Sequence, residues 1–256
     1  MDRDRFKRTL GRRVSLAELE VIYSAPIRRL LTESNPKILK GEKKGYHSTI
    51  LHLSPANRSG FNTCANATVG CRAACLNTAG HGKFDSTQNA RMRKTYWYFA
   101  RRDEFMSQLC REIEAHVRKA EKRNMIPAVR LNGTSDIKWE NVPAEGFANI
   151  FQRFPNLQFY DYTKLRNRPL DIPNYHLTFS LAESNEKDAR AELKRGMNVA
   201  VVFDTVPAEY WGRPVIDGDE SDLRFLDRAG AIVGLYAKGD AKRDRSGFVR
   251  RLQVTS

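Results

Sequence analysis

Six short runs rich in apolar, β-branched and aromatic residues punctuate the chain, at 48–53, 127–132, 157–161, 175–180, 198–203 and 231–236. Each has the length of a strand and is flanked by polar or turn-forming residues. Between them, the stretches 86–122, 144–154 and 186–195 repeat apolar residues at helical spacing and end at turns that contain proline or glycine. Alternating strand and helix predicts an α/β fold with a parallel sheet, either open and doubly wound or curled into a complete or partial barrel. Both architectures put their chemistry at the carboxyl ends of the strands.

Those ends are polar beyond what a packed core needs. The first five runs lead into 54–57 (SPAN), 132–136 (NGTSD), 160–164 (YDYTK), 180–184 (SLAES) and 203–205 (FDT). Helix caps and ordinary loop polarity explain about half of such residues. Five polar ends converging on one rim predict a site.

Composition adds a partner. With 256 residues, 41% of them hydrophobic, the chain can bury one core without staples. Lys and Arg number 44 against 30 Asp and Glu, a net charge of +14. That excess favours a polyanion, nucleic acid first. The positive charge is grouped. The arm 1–13 holds Arg3, Arg5, Lys7, Arg8, Arg12 and Arg13 against Asp2 and Asp4, and leads into a helical pattern up to about residue 31. The run 91–99 (RMRKTYWYF) interleaves bases and aromatics, making Arg91, Arg93, Lys94, Arg101 and Arg102 the candidate phosphate contacts. Trp97, Phe105, Leu109 and Ile113 keep helical spacing and belong to the core, with Cys110 as a buried thiol among them. The tail adds Lys238, Lys242, Arg243, Arg245, Arg250 and Arg251, where Gly239 and Gly247 suggest a loop or short hairpin, or else a solvated surface.

The densest chemistry lies in GFNTCANATVGCRAACLNTAGHG, which places Cys64, Cys71 and Cys75 within twelve residues. Pro55, Gly60, Asn62 and Gly70 predict an irregular loop, and 72–74 a helix that sets Cys71 and Cys75 one turn apart on one face. A disulfide leaves an odd thiol and has no secretory leader to support it. Zinc needs a fourth ligand, from His81, His52 or Cys110. An iron–sulfur cluster needs only the three thiolates and leaves one iron open. Spacing leaves these alternatives standing. Other templates fit poorly: there is no Gly-x-Ser-x-Gly elbow, no phosphate-binding loop, and no metalloprotease pattern among the five histidines. Asp217, Asp219, Glu220 and Asp222 form an acidic run suited either to a divalent cation or to a solvated loop. Four cysteines and no signal sequence make a reducing cytoplasm the expected location.

The segments LSPANRSGFNTCANATVGCRAACLNTAGHGKF, RLNGTSDIKWE, FYDYTK and GLYAKGDAKRDRSGFV, in this order over about 37–249, resemble the phage "gene product 88" domain family. More distantly the chain is similar to radical S-adenosylmethionine enzymes, partial barrels of about six βα units with a three-cysteine loop after the first strand. Here the spacing is Cys-x6-Cys-x3-Cys rather than the usual Cys-x3-Cys-x2-Cys, and no glycine-rich methionine-binding strand is visible. The resemblances imply a basic arm and helix over 1–36, then a six-stranded partial βα barrel over 37–256 with a [4Fe-4S] cluster on Cys64, Cys71 and Cys75. Asn132, Ser135, Asp136, Ser180 and Glu183 would bind a cofactor, and Asp136, Asp161 and Lys164 would be the catalytic candidates. The expected function is a cluster-bearing, nucleic-acid-binding protein of phage replication or regulation in the bacterial host cytoplasm. One alternative is an enzyme that uses S-adenosylmethionine on a nucleotide or nucleic acid, DNA or RNA. A second is a zinc-stabilised nucleic-acid-binding protein.

Overall fold

The structure, a computed structural model, describes residues 27–33 and 36–252. Ten strands make one mixed sheet: β1 (Leu31–Thr32), β2 (Tyr46–Leu51), β3 (Ile126–Arg130), β4 (Gln158–Thr163), β5 (Tyr175–Ser180), β6 (Asn198–Phe203), β7 (Glu209–Tyr210), β8 (Arg213–Asp217), β9 (Ile232–Tyr236) and β10 (Val249–Arg250). Their order in space is β1-β2-β3-β4-β5-β6-β9-β8-β7, with β10 also paired to β6. From β2 to β8 along this order, every neighbour is parallel. Only the two edges turn back, β1 against β2 and β7 against β8. The sheet is open: among the described residues no pairing joins β1 to β7.

All six strands expected from the hydrophobic runs are present within two residues of their predicted bounds. They are the six consecutive members β2, β3, β4, β5, β6 and β9, so the order follows the chain without the reversal that defines a doubly wound sheet. Four strands were not expected. β1, β7 and β10 have two residues each, too few to show alternation, and β8 (RPVID) is an exposed segment containing a proline.

Helix α1 (Pro36–Glu42) precedes β2, and α2 (Val69–Ala73) lies in the cysteine loop. The single helix expected over 86–122 is two helices, α3 (Asp85–Ala100) and α4 (Arg102–Lys122). The break falls at Arg101, whose φ of −140° and ψ of 59° are not helical. Aromatic packing accounts for it. The bend brings Trp97 and Tyr98 edge-on to Phe105, with centroids 5.9 and 5.3 Å apart, and Arg102 stacks 3.6 Å over the Tyr98 ring. Over 144–154 only α5 (Ile150–Arg153) is helical, because the chain first turns at Gly146 in a left-handed conformation. Helix α6 (Glu186–Lys194) forms as expected.

Helix α4 lies on β2 and β3, and α6 on β5 and β6. Phe105, Leu109, Cys110 and Ile113 meet Val129, Leu131 and Phe159 in one fully buried core. Each such large side chain contributes about 1.5–3 kcal/mol by leaving water. Leu30 and Leu31 join the same core, and their backbone N–H groups both donate to the Glu112 carboxylate at 2.8–2.9 Å. Strand β1 thus lies inside the stretch read as an N-terminal arm, while residues 1–26, with the basic run and most of the expected helix, lie outside the described residues. No helix among the described residues is long and apolar enough to cross a membrane.

Candidate functional site

A cavity of about 600 Å³ opens at the carboxyl ends of the parallel strands. Its wall is made by the loop after β2, the ends of β3, β4, β5 and β9, and the segment before β10, and all three clustered cysteines line it.

Backbone geometry delivers the cysteines there. The loop after β2 is laced to its neighbours: the Thr63 hydroxyl donates to Ser54 O at 2.6 Å, Asp136 N to Thr63 O at 2.7 Å and the Thr134 hydroxyl to Leu53 O at 2.5 Å. Ala56 takes a left-handed φ of 49°, which costs a non-glycine residue about 1–2 kcal/mol. In that conformation its N–H donates to Cys64 Sγ at 3.3 Å. Cys71 lies in α2, where Thr68 caps the helix by accepting from Cys71 N at 3.1 Å. The Glu183 carboxylate accepts from the Thr68 hydroxyl and from Gly70 N, both at 2.7 Å. Gly70 is required by close approach, since a β-carbon there would collide with Ser246 Oγ and stand 2.8 Å from Glu183. The sequence placed Cys71 and Cys75 on one helical face, but α2 stops at Ala73, and Cys75 is extended (φ −59°, ψ 135°). It accepts the Asn77 backbone N–H, and Asn77 Oδ1 in turn accepts from the buried Arg91 guanidinium.

Burial pushes the Cys64 and Cys75 thiols up, and neighbouring sulfurs push further, Cys75 on Cys64 and Cys71 on Cys75. Lys164 and Arg58 pull Cys75 the other way. No disulfide occurs among the described residues, which include all four cysteines. None of the three proposed fourth ligands lines the cavity. His81 is exposed, His52 is packed beside Gly133, and Cys110 is buried in α4, where burial and then Glu145 raise its thiol to about 12. Among the described residues, no three His, Cys, Asp or Glu side chains gather closely enough to hold a single metal ion.

Of the candidate site residues, Asn132, Ser135, Asp136, Lys164 and Ser180 line the cavity. Their polar groups are not equally available. Asn132 Oδ1 accepts from the Ser135 hydroxyl, Ile137 N and Trp139 Nε1 at 2.8, 2.9 and 3.1 Å, so Asn132 and Ser135 build the turn after β3. Asp136 accepts from the Thr163 hydroxyl and Lys164 N at 2.8 Å each, and burial raises its carboxyl. The Lys164 ammonium stands 5.8 Å over the Phe248 ring and makes no ion pair among the described residues. Two candidates stand behind the wall instead of in it. Asp161 accepts from Asn132 N at 2.6 Å and the Tyr175 hydroxyl at 3.0 Å, and burial raises its carboxyl to about 7. Glu183 is occupied with α2, as above.

The row of candidate phosphate contacts on α3 and α4 is not a continuous basic face. Arg91 braces the cysteine loop, and Lys94 donates to Leu30 O at 2.6 Å, with burial pulling its ammonium down to about 8. Arg102 lies on Tyr98, while Arg101 pairs with Glu104 at 2.7 Å. Arg93 is half-buried. The acidic run is also spent on ion pairs: Asp222 with buried Arg130 at 2.8 Å, Asp219 with Lys238, and Glu220 with Lys44 at 2.9 Å.

The basic tail is the part of the site that sequence reasoning missed. Residues 239–247 form the loop that the glycines suggested, with Lys242, Arg243 and Arg245 exposed to solvent, but the loop is anchored by the buried Ala241. Ala241 and Val249 pack on Ala74 beside Cys75, and β10 runs parallel to β6 beyond the point where β5 leaves it. Asp244 ties the turn by accepting from the Ser246 hydroxyl at 2.6 Å and Val249 N at 3.0 Å. Two glycines flanking a basic run were the available signal, and that signal carries no long-range partner.

The cysteine loop, the turn after β3, the end of β4 and the tail therefore surround one cavity, although its first and last lining residues, Pro55 and Phe248, lie 193 positions apart in the chain. No curated protein and no solved structure matches the chain. The family described as gene product 88 matches residues 29–252, a span that includes every wall of the cavity, and the chain belongs to that family.

Proposed function

We propose that Cys64, Cys71 and Cys75 ligate one iron–sulfur cluster, of [4Fe-4S] type, and that the cavity over it receives S-adenosylmethionine together with a nucleotide or nucleic-acid substrate. The observation that carries this reading is the presence of all three thiols on the wall of a single cavity at the carboxyl ends of the strands. The donor set fits the group. A cluster is wider than an ion, so thiols that share a wall without meeting at one point suit it better than zinc. The N–H groups of Ala56 and Asn77 already aim at two of the sulfurs, as outer hydrogen bonds to a cluster do. When bound, a cluster with one open iron supplies the electron for cleaving a coordinated cofactor.

The chain's own residues bind and orient. Lys164 and Arg58 offset the negative charge that thiolates bring into a buried wall. Asp136 and the rigid turn after β3 fix the side facing the cofactor, and Phe248 and Tyr162 exclude water from it. The unreversed strand order supports a partial barrel, because successive right-handed crossovers put the connecting helices on one face and curl the sheet around the other.

Anaerobic preparation followed by iron, sulfide and zinc analysis tests the cluster. Wild type and Cys110→Ala should both carry iron and sulfide, and Cys64→Ala, Cys71→Ala and Cys75→Ala should not. One equivalent of zinc without iron overturns the reading. S-adenosylmethionine should also alter the spin-resonance spectrum of the reduced protein, and an unchanged spectrum at saturation removes the cofactor from the account.

A further inference from the structure

The cavity mouth carries a second feature. Arg58, Arg72, Lys242 and Arg245 are exposed and Lys164 is half-buried, and none of the five has an acidic partner among the described residues. Arg58, Arg72 and Lys164 line the cavity itself. Lys242 and Arg245 do not line it but are next in sequence to Ala241, which lines the cavity and packs on Ala74, and to Ser246, which closes on Gly70. Other cations nearby are neutralised, Arg130 by Asp222 and Lys238 by Asp219. Selective lack of compensation at the mouth leaves a positive field aimed at whatever enters.

Stacking surfaces stand among these charges. Tyr236 lines the cavity and is 47% exposed, and Phe248 lines it beneath the Lys164 ammonium. Cations interleaved with accessible rings, bordering a concave opening, fit a strand of phosphates with unpaired bases. An intact duplex keeps its bases stacked inside and cannot insert one into a cavity without extruding it.

We propose that the mouth is a binding surface for single-stranded nucleic acid, in which Arg72, Lys242 and Arg245 hold phosphates and Tyr236 and Phe248 stack the base that enters. This deepens the reading of the cavity as a reaction centre by assigning its polymeric substrate, and it moves the contacts from α3 and α4 to the tail. Phosphate and base are common to DNA and RNA, so both enter the test.

The experiment is fluorescence anisotropy with the full-length protein and short labelled single strands of DNA and RNA, with the matching duplexes, across a salt series. Wild type should prefer the single strands. The triple variant Arg72→Glu, Lys242→Glu, Arg245→Glu should lose tenfold or more, roughly, and its log–log salt slope should fall by about 2, since each single-strand phosphate contact contributes about 0.7. The control Arg93→Glu, Arg111→Glu on the long helices should change little. No binding at low salt overturns the proposal, as do tighter duplex binding, an equal loss in the control, or equal competition by polyglutamate. Iron and sulfide are measured on the same samples. Strand binding through these residues in an iron-free protein sinks the cluster alone, and a cluster-bearing protein that ignores the strand sinks this surface alone.

Discussion

Asp161 and Tyr162 are neighbours on β4 and face opposite ways, as the two-residue period of a strand requires. Tyr162 lines the cavity, and Asp161 turns toward Tyr175 behind it. A polar strand end is legible in sequence, but the side to which each residue points depends on register, so sequence alone does not separate Asp161 from the pocket residues beside it. Its position has a measurable consequence. The folded carboxyl holds its proton up to about pH 7, against an ordinary value of 3.8, because burial disfavours the charge. Folding therefore takes up a proton between about pH 4 and about pH 7. Stability must fall as pH rises through that window, by at most about 4 kcal/mol. Asp161→Asn, uncharged in both states, should flatten this slope. Urea midpoints at about pH 5 and about pH 8 check it, and equal pH dependence in both proteins would mean that the carboxylate is ionised throughout.

At the scale of elements, the five residues of α2 are too few to hold a helix by propensity, so their geometry is imposed by partners. Glu183 supplies two charge-assisted hydrogen bonds, and Ser246 closes on Gly70 from the tail. Hydrogen bonds to a charged group are worth about 1.5–3 kcal/mol each. Gly70→Ala should displace the tail, tilt Cys71 and lower the iron content of the anaerobic protein. Adding Ser246→Ala should restore part of it, because removing the hydroxyl leaves only the Glu183 contact near 2.8 Å. Iron per chain in the two variants decides the matter, and no rescue would mean that the tail does not press on α2. The six long strands could be read because β-branched runs such as NVAVVF have one good use. The two-residue β10 could not, and neither could the break at Arg101, which no proline or glycine marks and which aromatic packing alone explains.

At the scale of the whole molecule, the sheet begins earlier than the hydrophobic runs indicated. Leu30 and Leu31 are buried, β1 covers the edge of β2, and Glu112 on α4 holds both backbone N–H groups. A truncation that starts at Ile27 should thus keep the thermal midpoint and the iron content. One that starts at Pro36 strips the edge strand, opens Leu51 and Leu109 to water, and leaves the Glu112 carboxylate with the Gln108 amide but without its two backbone donors, at a cost of several kcal/mol. The shorter truncation also separates charge from fold. Residues 1–13 hold six Lys or Arg against two Asp, and losing them should weaken nucleic-acid binding alike for every sequence. The truncation takes away these six cations together with Asp2, Asp4, Glu18 and Glu20, a net of two charges, so the salt slope for single strands should drop by about 1.4, at about 0.7 per contact. Thermal melts and salt titrations on the two truncations test both halves. An unaltered slope in the chain starting at Ile27 would assign all of the phosphate contacts to the cavity mouth, and a folded chain starting at Pro36 would show that β1 adds nothing to the core it touches.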